Sequence, residues 1–180
     1  IDINYVSDNL GIGGTLFMTA ICIICFLCGL YCIRKFLKGG YQKSITNYIE
    51  SCPNQELAKE KVEHFLETTP KVDGLQYNEE FICGNSSGTI MFGELEKLAW
   101  VYFKTSRTKR STSYYLVFRF MDRSSYEIWM LNPQDAQKHL DKLAELCPKT
   151  VFGYSDELNS LFYKDMDEFL KLRSGVESEN

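Results

Sequence analysis

No Asp, Glu, Lys, Arg or His occurs between Asp8 and Arg34, and no other feature of the sequence narrows the possible folds as far. The roughly 22 apolar residues from Ile12 onward would make a helix about 33 Å long, against about 30 Å of hydrocarbon in a bilayer. A signal peptide begins basic and ends in small residues. Here the order is reversed, with Asp2 and Asp8 before the stretch and Arg34, Lys35, Lys38 and Lys43 after it. That is a stop-transfer pattern. The positive-inside rule then orients a single-pass helix with its N-terminus outside and everything from about residue 40 in the cytoplasm, at the plasma membrane. A segment upstream of Ile1 would alter the count of spans but not this local orientation.

Cys22, Cys25, Cys28 and Cys32 share one stripe of that helix with Gly29. Within hydrocarbon these are small apolar groups, so close helix packing and self-association are expected rather than a metal or redox centre. Cys52, Cys83 and Cys147 are widely spaced, which suits a reducing compartment without structural disulfides.

The rest of the chain carries the signs of one packed domain. A hydrophobic fraction of 44% with 14% aromatics is too rich for disorder. A net charge of −4 argues against wholesale nucleic-acid binding, which rests on clustered cations. The expected organisation is an extracytoplasmic flank (1–10), a transmembrane helix (11–33), a basic juxtamembrane connector helix (34–52), a cytoplasmic α+β domain (53–173) and a frayed tail (174–180). Within the domain, Pro53 and Asn54 start a helix whose stripe is Leu57, Ala58, Val62, Phe65 and Leu66. The period then changes to two. Five successive strands are expected, across Leu75 to Cys83, Ile90 to Phe92, Leu98 to Phe103, Tyr114 to Met121 and Tyr126 to Leu131, as one antiparallel meander with a tight turn at Asp122, Arg123 and Ser124. Pro133 opens a further helix. A short TVFG strand follows, and Ser155 caps one last helix bearing Leu158, Leu161, Phe162, Met166, Phe169 and Leu170.

The blocks GTIMFGELEKLAWVYFKT, SYYLVFRFMDRSSYEI and VFGYSDELNSLF resemble uncharacterised single-pass membrane proteins of Gram-positive bacteria. Their cytoplasmic domain is similar to bacterial pleckstrin-homology-like domains. The resemblance covers roughly residues 75 to 163, and it implies a binding or scaffold module without an assigned reaction.

The chemistry of catalysis is hard to find in the sequence. His64 and His139 lie on separate expected helices with no histidine or cysteine at i+3 or i+4, Glu60 and Glu67 beside His64 read as a solvated face, and no convergent set suits zinc. No GxxxxGK[ST] is present, and Ser155 before Asp156 and Glu157 reads as a helix N-terminus rather than a nucleophile. No cofactor, metal or catalytic residue is expected. The feature with functional promise is FKTSRTKRSTS, which brings Lys104, Arg107, Lys109 and Arg110 together in a hairpin loop. Such a loop suits anionic lipid headgroups, or a protein partner, and the attraction is salt-sensitive. Exposure of Trp100, Trp129, Tyr114 or Tyr115 beside it would make an interaction face credible. The expected function is therefore a membrane-anchored, non-enzymatic binding or scaffold module. A structural subunit of a membrane assembly and an enzyme with an unrecognised site remain as alternatives.

Overall fold

The structure is a computed structural model that describes residues 3–37 and 42–174. Positions 1–2, residues 38–41 of the expected connector and the tail from residue 175 lie outside the described residues. The chain divides into two compact units, one over residues 1–41 and one from Gln42 to the C-terminus.

The first unit is the helix α1 (Ile3–Leu37), 35 residues long. Its described side chains from 16 to 32 are exposed on every side, including Leu16, Phe17, Ile24 and Phe26. A soluble helix would show one apolar stripe and one polar face, and this one shows no such division. Among the described residues no helix is long and apolar enough to cross a membrane.

The second unit has mixed α+β architecture, as expected. It begins upstream of the boundary expected near residue 53, because α2 (Lys43–Ser51) is part of it. A nine-residue helix is not stable alone. It is held by Tyr48, whose ring meets Phe81 and Phe92 edge-on at 5.4 and 5.3 Å, and by the Ser44 hydroxyl donating to the Ile90 carbonyl. Cys52 is extended, as the residue before a proline must be, and so ends the helix. Asn54 then caps α3 (Gln55–Thr68), its side chain accepting from Leu57 N–H at 3.1 Å. Ala58, Val62 and Phe65 make the buried stripe of α3, and Val62 and Phe65 pack against Phe81 and Phe92. Each phenylalanine sealed in this cluster is worth about 1.5–3 kcal/mol, more than the few tenths that propensity supplies.

The strands form two sheets rather than one meander. β1 (Leu75–Tyr77), β2 (Phe81–Ser86) and β3 (Thr89–Glu94) pair antiparallel in that order. The run read as one strand from Leu75 to Cys83 breaks at Asn78, whose side-chain oxygen accepts from Glu80 and Phe81 N–H. Such an Asx turn offers the backbone a partner that competes with the ladder. β2 and β3 are joined by Ser87 and Gly88, both at positive φ, in the mirror-image turn that matches strand twist. A short 3₁₀ turn at Leu95–Lys97 then separates the sheets.

The second sheet has the order β6-β5-β4-β7, from β4 (Leu98–Arg107), β5 (Thr112–Phe120), β6 (Ser125–Met130) and β7 (Val151–Phe152). β4, β5 and β6 are antiparallel, and β7 lies parallel to β4, so this sheet is mixed. The turn at Asp122 to Ser124 is as expected, with Arg123 at φ 66°. α4 (Pro133–Leu146), capped by Asn132, packs Ala136 and Leu143 into a core with Leu75, Ile82, Met91, Leu116, Phe118 and Ile128. The expected single last helix is two, α5 (Asp156–Lys164) and α6 (Met166–Ser174), because Asp165 leaves helical geometry at φ −141°. The break lets Phe162 and Phe169 meet edge-on at 5.3 Å over the second sheet.

Candidate functional site

Pairing of β4 with β5 ends at Arg107 and Thr112. The intervening turn is closed by Thr108 N–H donating to the Ser111 carbonyl at 2.8 Å, while Ser111 N–H donates to the Thr108 hydroxyl. This holds Arg107, Lys109 and Arg110 at one exposed tip, and among the described residues none of them has an ion pair. Lys104 differs from the other three basic candidates. It stands further down β4 with its ammonium 2.7 Å from Glu127 on β6, and that bond holds its pKa above the ordinary lysine value. The tip therefore keeps the charge of three cations, and the fourth is locally cancelled.

The aromatic residues divide by face. Tyr114 packs against the core with Phe103, while Trp100, sealed at 0% exposure under the C-terminal helices, shares the other, outer face with Tyr115 and Trp129. Tyr115 and Trp129 oppose each other across β5 and β6 on the outer face, and Trp129 is 56% exposed. A groove opens beside them, between Trp129 and Leu131 on one side and Asn85, Ser87 and Gly88 on the other. The structure thus brings together the basic tip and an exposed tryptophan.

Two polar clusters escaped sequence reasoning because their members are distant in the chain. The first surrounds Arg119, only 8% exposed on β5. Its guanidinium donates to the Tyr102 hydroxyl at 3.1 Å and to the Tyr163 hydroxyl, and it lies 4.8 to 5.7 Å from the ring centres of Trp100, Tyr102, Phe162 and Tyr163. No carboxylate pairs with it among the described residues. The aromatic faces and phenol oxygens supply the negative potential instead.

The second cluster is Asp73, His139 and Tyr77. His139, buried on α4, has Nε2 3.4 Å from the Asp73 carboxylate and Nδ1 2.9 Å from the Tyr77 hydroxyl. A carboxylate beside Nε2 favours the tautomer protonated there, so Nδ1 accepts from Tyr77. Burial drives the His139 pKa below its ordinary 6.5, against the pull of Asp73, and burial raises that of Tyr77. The adjoining cavity, about 170 Å³ between Pro70, Val72, Leu75 and Lys142, is small for a substrate. The cluster's clear effect is on stability. With the folded value depressed, the unfolded chain takes up the proton first as pH falls below 6.5. This contribution is fully present above 6.5 and is lost as pH drops through the folded value. Urea midpoints measured across that range are expected to fall on the acid side in the wild type and to flatten in His139→Gln. If His139→Gln keeps the wild-type slope, His139 is not the titrating group.

The remaining candidates carry no site in the second unit. Cys22, Cys25, Cys28 and Cys32 are free and exposed on α1, and a Cβ at Gly29 would meet nothing within 4 Å. Ser155 accepts from Leu158 N–H as a helix cap. Among the described residues no group of His, Cys, Asp and Glu is arranged to hold a metal ion.

A family model described as a domain of unknown function (DUF6709) matches residues 39–162, from just before α2 into α5. No curated protein matches, and no solved structure matches.

Proposed function

This chain belongs to the DUF6709 family, and from that premise we propose that it is a membrane-anchored binding or scaffold module, non-enzymatic, whose folded domain works at the cytoplasmic face of the plasma membrane. The observation that carries the reading is α1, a 35-residue helix that exposes Leu16, Phe17, Ile24 and Phe26 with no division into an apolar stripe and a polar face among its described side chains. Such a helix must be buried in something, and hydrocarbon matches its lack of a polar face. The reading takes α1 over its full sequence, uncharged between Asp8 and Arg34, and orients it by the acids before and the bases after. A pleckstrin-homology-like domain is the scaffold that this reading supplies. Its basic tip at Arg107, Lys109 and Arg110 serves for contact with anionic headgroups. The open stripe of Cys22, Cys25, Cys28, Gly29 and Cys32 favours a second reading, in which α1 packs against other helices as a structural subunit.

The test is extraction and topology of the full chain in bacterial membranes. The chain is expected to resist alkaline carbonate, and a reporter fused after Asn180 is expected to be active only in the cytoplasm. Release by carbonate would remove the anchor, and reporter activity outside would reverse the orientation.

A further inference from the structure

Among the described residues, the outer face of the four-stranded sheet is covered over one half only. There Phe162 of α5 and Phe169 of α6 lie on Trp100, Tyr102 and Val117. Two residues further along β4, the row Lys104, Tyr115 and Trp129 crosses the sheet in register, beyond the Tyr102–Val117 pair that the helices cover. Trp129 on this face is 56% exposed, and Leu131, just past the end of β6 and 72% exposed, lines the same groove with Trp129 and Tyr115. Single exposed apolar residues are common and mean little. What sets these apart is their neighbourhood. They stand toward the end of the sheet where the β4–β5 turn carries Arg107, Lys109 and Arg110: Trp129 pairs with Tyr115, three residues along β5 from the Thr112 that closes the ladder against Arg107.

We propose that the bare half of this face and the basic tip form one docking surface for an anionic bilayer, with the cations on the headgroups and Trp129 and Leu131 entering the interfacial layer. The proposal rests on the membrane reading above and deepens it by naming the apolar half of the contact. Charge complementarity selects this occupant. The tip keeps its cations unpaired, whereas Glu127, the acid in the middle of the face, is bound by Lys104 at 2.7 Å and so presents no free carboxylate to the headgroups. Asp73, across the groove, is not cancelled in the same way, since burial lowers the pKa of the His139 beside it. Indole is amphipathic and concentrates at the headgroup level, where a leucine beside it adds buried apolar area. Cations near an anionic leaflet strengthen binding about fivefold each, so removing three is expected to weaken docking on the order of a hundredfold.

The chain carries its own reporter. It has two tryptophans, Trp100 sealed and Trp129 exposed, so a change in emission on docking reads Trp129. The full chain is mixed with vesicles of phosphatidylcholine alone or of phosphatidylcholine with phosphatidylglycerol, then followed by flotation and by emission with acrylamide quenching. The expected result is a blue shift and protection from quenching on anionic vesicles only, reversed by salt. The shift should vanish in Trp129→Phe and in the combined Arg107→Ser, Lys109→Ser and Arg110→Ser variant, while flotation through α1 persists in both. Flotation on both vesicle types with no shift overturns the docking surface and leaves the anchor standing. A shift without flotation on neutral vesicles supports the surface and removes the anchor. Flotation on neither removes both. A shift that survives the loss of all three cations, or that is equal on neutral vesicles, also overturns the proposal and leaves a protein as the partner of this face.

Discussion

Trp100→Ala is expected to remove about 3–5 kcal/mol of unfolding free energy, the range for deleting a buried aromatic side chain. Trp100 is the centre of the cluster that fastens α5 and α6 to the second sheet. Its ring lies 5.9 Å from both Phe162 and Phe169 and 4.6 Å from Tyr102, and its indole N–H donates to the Gly153 carbonyl at 2.6 Å. Truncation opens a cavity that these rings cannot fill and leaves the carbonyl after β7 without its donor. A domain of this size has about 5–15 kcal/mol in all, so much of its stability should go with one side chain. Urea unfolding followed by far-UV circular dichroism measures the loss. Trp129→Ala is the control, expected within about 0.5 kcal/mol of wild type because its ring is exposed. Equal effects from the two substitutions would contradict the packing described for Trp100.

Arg119→Ala is expected to cost about 2–4 kcal/mol, from lost packing, two hydrogen bonds and a desolvated cation held over aromatic faces. Burying a cation without a carboxylate is costly, so the four rings and the phenol oxygens of Tyr102 and Tyr163 must recover that cost. Arg119→Met separates the contributions, since it keeps most of the volume and removes the charge and the donors. It is expected to recover only part of the alanine loss. A double-mutant cycle with Tyr163→Phe should show coupling, because the two groups share a hydrogen bond. Wild-type stability in Arg119→Met would mean that the box is held by packing alone. A planar guanidinium is matched to this setting, and Arg119→Lys should not restore it.

The starts of α3, α4 and α5 were legible from Asn54, Pro133 and Ser155 because each is a local event, and in the fold Asn54, Asn132 and Ser155 cap these helices through a side-chain oxygen and an N–H three residues on. Strand identity was legible from alternation over Ile90 to Phe92 and from apolar continuity over Leu98 to Phe103. The division into two sheets was not. Alternation says which residues face inward but not which strand is the neighbour, and the Leu95–Lys97 turn that parts the sheets has no distinctive composition. The two-residue β7 was visible as a strand, but its parallel pairing with β4 requires the whole α4 crossover to be in place. The single expected last helix failed at Asp165 for a similar reason. Its apolar residues keep helical spacing across a break that only the packing of Phe162 against Phe169 makes worthwhile.

The basic tip was read directly from four cations close together in a loop, yet Lys104 left the group because Glu127 reaches it from a strand 23 residues away. Arg119 gave no signal at all, since its partners come from β4 and α5. By itself the sequence determined what is local or periodic: the uncharged helix with acids before it and bases after it, the caps, the turn at Asp122 to Ser124 and the cationic tip. Tertiary structure alone decided which charges are cancelled, which tryptophan is sealed and which faces water, and where a cation is held by rings. Neutralisation, burial and ring contact depend on distances between segments, and those distances are set only when the sheets and helices close on one another.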